Sequence, residues 1–131
     1  MRVLALDYGS ARCGCAVSDP SGTIATPIEA VARPATRAGL RALAELVGER
    51  GAERVVVGLP LTLRGGDSAQ TLEARTFASR LQDVLGEDVP VELYDERFTT
   101  RLAQRAGEGA ASEDSRAAAH LLESWLRAQE R

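Results

Sequence analysis

Four apolar residues, Val3-Leu4-Ala5-Leu6, run straight into a carboxylate, Asp7, and a turn follows at Gly9. A short unbroken apolar run of this kind suits a central strand covered on both faces, so Arg2–Tyr8 reads as the first strand. The turn Gly9-Ser10-Ala11-Arg12 leads into a second strand at Cys13–Ser18, antiparallel to the first. Asp19-Pro20-Ser21-Gly22 is a further turn signal. Thr23–Val31 carries β-branched residues and predicts a third strand, with Pro27 placing it near a sheet edge.

After Pro34 the period changes. Leu40, Leu43, Ala44 and Val47 recur at helical spacing and predict a helix over 36–50, closed by Gly51. Val55-Val56-Val57 marks a buried strand at Arg54–Gly58. The segment from Leu59 to Gly66 reads as a loop ending in a mobile pair of glycines. Asp67 or Ser68 can then cap a helix over 69–85, with Leu72, Phe77 and Leu81 at apolar positions. Val89–Tyr94 is the last strand. Thr99 is placed to cap a short helix to Ala106, Gly107-Glu108-Gly109 breaks it, and Ser112 caps a final helix to about Ala128. The order β-β-β-α-β-α-β-α-α predicts an α/β fold with a mixed five-stranded sheet and helices on both faces. The later strands should run parallel to the first, through right-handed crossovers. The pattern has no repeat, low-complexity tract or linker, so residues 1–131 read as one domain.

Composition adds bounds rather than chemistry. At 131 residues and 44% hydrophobic, the chain can bury a core and is not of a disordered class. No apolar run approaches the roughly 20 residues that span a bilayer, and the start has no signal-peptide layout. The expectation is a cytoplasmic protein without membrane contact. All 16 basic residues are arginine. A GC-rich genome accounts for that, although arginine also suits bidentate phosphate contacts. The net charge of −3 does not announce a nucleic-acid binder, but acids gathered around metal ions would count as negative in that sum. Cys13 and Cys15 point to one face of a strand, and His120 is the only histidine; the pair reads as small buried apolar residues, not a metal site.

Three acids ask for an explanation. Asp7 ends a strand that looks central, where a charge is costly unless paired. Asp95 and Glu96 follow the last strand at the edge where open α/β sheets place their sites; alternation puts them on opposite faces, and sequence does not choose between them. Asp114 opens the last helix on a face that continues through Leu121 and Trp125. A helix dipole alone would favour an acid there. Convergence of all three would instead make a hard, oxygen-rich site suited to Mg2+ or Mn2+. Ions held there could clamp a phosphodiester and activate water.

These residues also carry a family likeness. Leu6-Asp7-Tyr8-Gly9-Ser10-Ala11-Arg12-Cys13-Gly14-Cys15-Ala16 resembles the opening signature of the YqgF family, also called RuvX. Val57-Gly58-Leu59-Pro60-Leu61, Asp95-Glu96-Arg97-Phe98-Thr99-Thr100 and Asp114-Ser115 with Ala117-Ala118 are similar to its later signatures, in order. The resemblance implies an RNase H-like fold and a metal-dependent nuclease, with a role in maturing the 5′ end of pre-16S rRNA. It implies Glu96 rather than Asp95 in the acid set, giving Asp7, Glu96 and Asp114 as catalytic and metal-binding residues. Arg97 and Thr99 would support them, with a salt bridge and a helix cap as their ordinary roles. Arg12 and Arg64 are candidate phosphate contacts, with solvated surface arginine as the ordinary reading. The segment before Asp114, with Gly107-Glu108-Gly109 and Glu113, is shorter and more acidic than expected of relatives.

The partner implied is nucleic acid, structured RNA ahead of DNA. A Holliday junction DNA nuclease is the alternative, and so is a non-catalytic RNA- or protein-binding factor on the same fold. An actin- or sugar-kinase-like ATP-binding domain shares the Asp7-Tyr8-Gly9 opening, but such proteins need two domains and this chain is too short. Junction resolvases cut two strands as dimers; no surplus apolar helix face announces one here, so a monomer or weak homodimer is expected.

Overall fold

The protein's structure, a computed structural model, describes residues 1–98 and 113–130. The chain runs β1 (Val3–Asp7), β2 (Arg12–Ser18), β3 (Ala25–Ala32), α1 (Arg37–Arg50), β4 (Arg54–Leu59), α2 (Ala69–Leu85), β5 (Val91–Asp95), a single 3-10 turn (Glu96–Phe98) and α3 (Glu113–Gln129). The short helix expected at Thr99–Ala106, the glycine break and the Ser112 cap lie outside the described residues. No described helix is long and apolar enough to cross a membrane.

The sheet order is β3-β2-β1-β4-β5, so β1 is central and the Pro27 strand lies at an edge. β1, β2 and β3 form an antiparallel meander, and β4 and β5 run parallel to β1. Leu4 and Leu6 point to one face, where they pack with Val55 and Val57 under Leu40, Leu43, Phe77 and Leu81 of α1 and α2. Val3, Ala5 and Val56 point to the other, under Ala118, Leu121, Leu122 and Trp125 of α3. The central strands are therefore apolar at successive positions, Val3–Leu6 of β1 and Val55–Val57 of β4, because both of their faces are roofed there.

Local chemistry sets the element ends. Thr36 Oγ1 accepts from the Gly39 N–H at 3.0 Å and starts α1, which Gly51 ends at φ 64°. Ser68, of the two possible caps, starts α2 through a capping box with Thr71. Three expectations need correction. β3 starts at Ala25 rather than Thr23, because the Asp19 carboxylate accepts from the N–H groups of Thr23 and Ile24 at 2.8 Å each and keeps them in the turn. β5 starts at Val91 rather than Val89, because the Gln82 side chain takes the Val89 carbonyl and the Val91 N–H. Leu72 is not a core position: it is 56% exposed, while Thr71 is fully buried, drawn inward by its hydroxyl hydrogen bond to the Pro60 carbonyl.

The start of α3 is seated on β2. A Cβ at Gly14 would lie 1.9 Å from the Asp114 carbonyl oxygen, so only glycine admits this contact. One residue on, the Cys15 N–H donates to the buried Ser115 Oγ at 3.2 Å. Gly14→Ala should therefore destabilise the fold by about 3 kcal/mol or more, since two backbones must part. Gly48→Ala, where an added Cβ meets nothing within 4 Å, should stabilise it by about 0.5–1 kcal/mol. Urea midpoints of the two variants check both signs.

Candidate active site

Strand alternation and register decide which acids share a surface. Asp7 follows Val3 and Ala5 at even spacing and so shares the α3 side of β1. Its cross-strand partner is Gly14 of β2, the residue on which the Asp114 main chain rests. On the other side of β1, Leu6 is level with Val57, so Asp7 is level with Gly58. A Cβ at Gly58 would lie 2.9 Å from Cγ and Cδ of Glu96 and 3.1 Å from Leu121 Cδ2. Gly14, Asp7 and Gly58 thus form one row across three neighbouring strands, spaced about 4.8 Å apart. The backbone of Asp114 lies over one end of that row, and the Glu96 side chain over the other.

Asp7 and Glu96 line one cavity of about 330 Å³, with Tyr8, Gly9, Ser10 and Pro60 and, from α2, Gln70 and Glu73. Asp114 does not line it. Its carboxylate accepts from Arg12 Nε at 3.1 Å, in a pair whose side chains are 66% and 39% exposed. Among the described residues no group of three or more His, Cys, Asp or Glu is placed to hold a metal ion. The row therefore brings two of the three acids to one cavity and leaves the third beside it, on an arginine. The cavity's donors are carboxylates, and Mg2+ is commonly held by one or two carboxylates with water and substrate phosphate completing its shell, so Asp7 and Glu96 fit such an ion.

The adjacent acid, Asp95, is committed elsewhere. It accepts from Arg97 Nη2 at 2.6 Å and from Arg97 Nε and N–H, which holds its carboxyl below the usual range. Arg97 also donates to the Leu63 carbonyl at 3.2 Å. The loop it grips is hydrogen-bonded within itself, Gly65 N–H to the Thr62 carbonyl at 2.8 Å and Gly66 N–H to Thr62 Oγ1 at 2.9 Å. The expectation of a loose pair of glycines gives way to a loop tied at both ends. Arg64 is exposed at its tip, beside Leu63 at 94% exposure. Arg97 thus serves as a strut. Thr99 lies outside the described residues.

The neighbouring Cys15 side chain and, after it, burial raise the Cys13 thiol well above its ordinary pKa, and the charges of Asp7 and Asp114 add to this. Cys13 and Cys15 are both buried, as the reading of them as small apolar residues expects. Sequence reasoning missed Gln70 and Glu73. Their only signal is helical spacing: Glu73 falls one turn before Phe77, on the stripe that meets Tyr8.

A family model described as RuvX, Holliday junction resolvase, matches residues 1–128. The chain is 42% identical over 139 residues to a Mycobacteroides abscessus protein named "Putative pre-16S rRNA nuclease", covering 99% of this chain and 83% of that one. It is 44% identical over 133 residues to a protein of the same name from Mycolicibacterium paratuberculosis, covering 95% and 79%. Among solved structures, Thermus thermophilus RuvC in complex with a Holliday junction substrate matches with a TM-score of 0.66 at 18% identity, over 99% of this chain and 96% of that one. The Fowlpox virus resolvase with Holliday junction DNA matches at TM-score 0.59 and 11% identity, over the full length of both chains. These two likenesses are of fold, which is RNase H-like.

The lowered pKa of Asp95 has a consequence for stability. Its pair with Arg97 stabilises the fold above the ordinary carboxylate value and is lost as pH falls through the lower folded-state value. Asp95→Asn should lower the urea midpoint at about pH 7, and the gap from the parent chain should narrow steadily toward about pH 3.

Proposed function

The chain belongs to the RuvX family and is a nuclease that hydrolyses phosphodiester bonds; on that premise we propose that Asp7, Glu96 and Asp114 hold Mg2+ or Mn2+ against structured RNA, in processing the 5′ end of pre-16S rRNA. The observation that carries this reading is the row Gly14–Asp7–Gly58, which sets Asp7 between the other two acids. The RNA assignment follows the name that the curated relatives share. The family's description favours junction DNA as the second reading.

Asp7 is the fixed member of the set, because its strand is central and its neighbours on both sides are paired. Glu96 reaches the cavity over Gly58, which has no side chain to block it. When bound, divalent ions would polarise the phosphodiester and activate a water as nucleophile. Asp114 joins by exchanging its partner. An exposed ion pair is worth at most about 1 kcal/mol, so Arg12 can pass from Asp114 to a substrate phosphate at little cost. Arg12 is then a substrate contact, and Arg64 is a second candidate at the loop tip.

Cleavage of structured RNA and of four-way DNA, side by side, tests the reading. Activity should require Mg2+ or Mn2+, vanish with chelator, and favour the RNA. Asp7→Asn should keep the fold and lose activity by about a thousandfold or more. Undiminished cutting by that variant, or in chelator, would end the proposal. Gly58→Ala forces Glu96 and Leu121 to shift, and should lower activity about tenfold with a much smaller loss of stability than Gly14→Ala.

A further inference from the structure

The depression holding Asp7 and Glu96 does not stop at Tyr8. Tyr8 and Glu73 also border a second hollow, of about 340 Å³, with Leu72, Phe77 and Arg80. Arg80 in turn borders a third, of about 450 Å³, between α1 and α2, with Arg37, Arg41, Asp83 and Val84. Shared residues make the three hollows one continuous surface path.

The helical period explains the continuity. Glu73, Thr76, Phe77, Arg80 and Val84 fall on one stripe of α2, and Arg37 and Arg41 fall on one stripe of α1. From residue 73 to residue 84 the α2 stripe extends about 16 Å. At the end nearest the acids, Tyr8 is stacked on Phe77 with ring centroids 4.6 Å apart, which fixes its orientation. Leu72 and Val84 are 56% and 49% exposed, leaving apolar surface at intervals along the path.

Charge completes the picture. Arg12, Arg54, Arg75 and Arg97 each hold an acid of this chain. Arg37, Arg41 and Arg80 form no ion pair or hydrogen bond among the described residues. Asp83 is the one acid beside them in the third hollow. That end of the path is therefore net positive in a chain whose overall charge is −3. Guanidinium groups alternating with a fixed aromatic ring and exposed aliphatic carbons suit an unpaired strand, whose phosphates and base faces are both open to contact. A duplex keeps its base faces stacked and cannot use Tyr8 in this way.

We infer that the path over Tyr8 and along the α1–α2 groove binds a single-stranded segment of the RNA substrate, flanking the bond to be cut. Arg37, Arg41 and Arg80 take its phosphates, and Tyr8 stacks against a base. The groove guides the strand toward Asp7 and Glu96, and this part rests on the cleavage site proposed above.

Binding separates the two. Anisotropy is measured in an Asp7→Asn background without metal, on an RNA hairpin with a single-stranded tail of about ten nucleotides and on the same hairpin blunt. The tail should raise affinity about tenfold or more. The triple variant Arg37→Gln, Arg41→Gln, Arg80→Gln should lose that gain, with the slope of log affinity against log salt falling by about two. Tyr8→Leu should lose about tenfold with the salt slope unchanged. All substituted positions are exposed or half-buried, and circular dichroism confirms that each variant is folded. A tail that adds nothing, or a triple variant that binds tailed RNA unchanged, overturns the inference. A chain that binds the tail through these arginines yet cuts nothing with metal present ends the cleavage-site reading alone.

Discussion

The contact between the first turn of α3 and Gly14 governs how this chain is put together. The Asp114 carbonyl occupies the space that any other residue at position 14 would fill. Ser115 then takes the Cys15 N–H, joining residues one hundred positions apart. Cys13 and Cys15 flank an irregularity in the β2–β3 pairing, which leaves that N–H available to a side chain. Through this seat α3 covers the second face of the sheet, and Asp114 is carried to within one strand of Asp7.

Charge is sorted by side in a way its total conceals. Asp95, Asp67 and Glu92 are each held by an arginine at the surface. Arg54 and Glu92 tie β4 to β5, and the other two pairs fasten loops: Arg97 grips both Asp95 and the carbonyl of Leu63, and Arg75 grips Asp67 at the start of α2. The acids that face the cavity lie instead on Asp7, Glu96 and Glu73. Three arginines without such duties, Arg37, Arg41 and Arg80, line the groove beyond Tyr8. An acidic hollow continuous with a basic groove is the polarity that a metal-dependent enzyme acting on a polyanion requires, since the metal would invert the sign of the acidic end.

Periodicity carried the architecture. The unbroken apolar run of β1 implied a central strand, because only a strand roofed on both faces lacks polar positions. Pro27 implied an edge, because it has no N–H for the ladder. Gly51 marked the end of α1, and Asp67 or Ser68 the start of α2, through groups that can be read one residue at a time; Thr36, read as the first helical residue, is instead the cap of α1. Leu72 failed for the complementary reason. Its neighbour Thr71 reads as polar, yet its hydroxyl finds the Pro60 carbonyl and is buried, rotating Leu72 out to solvent.

The sequence by itself determined the order of the described elements, the centrality of β1 and the short set of acids worth attention, because those depend on neighbours in the chain. It left the choice between Asp95 and Glu96 to a family resemblance. In the structure Asp95 folds back on Arg97, a local pair two residues apart, while Glu96 lies over Gly58, a relation that cannot be seen without the register of β4 against β5. Only tertiary structure placed Gly14 and Gly58 on either side of Asp7, left Asp114 on Arg12 rather than in the cavity, and added Glu73 from α2 to its wall. Local pattern fixes which face a residue occupies. Which other residues share that face depends on strand register and on where the helices dock, and those are properties of the whole fold.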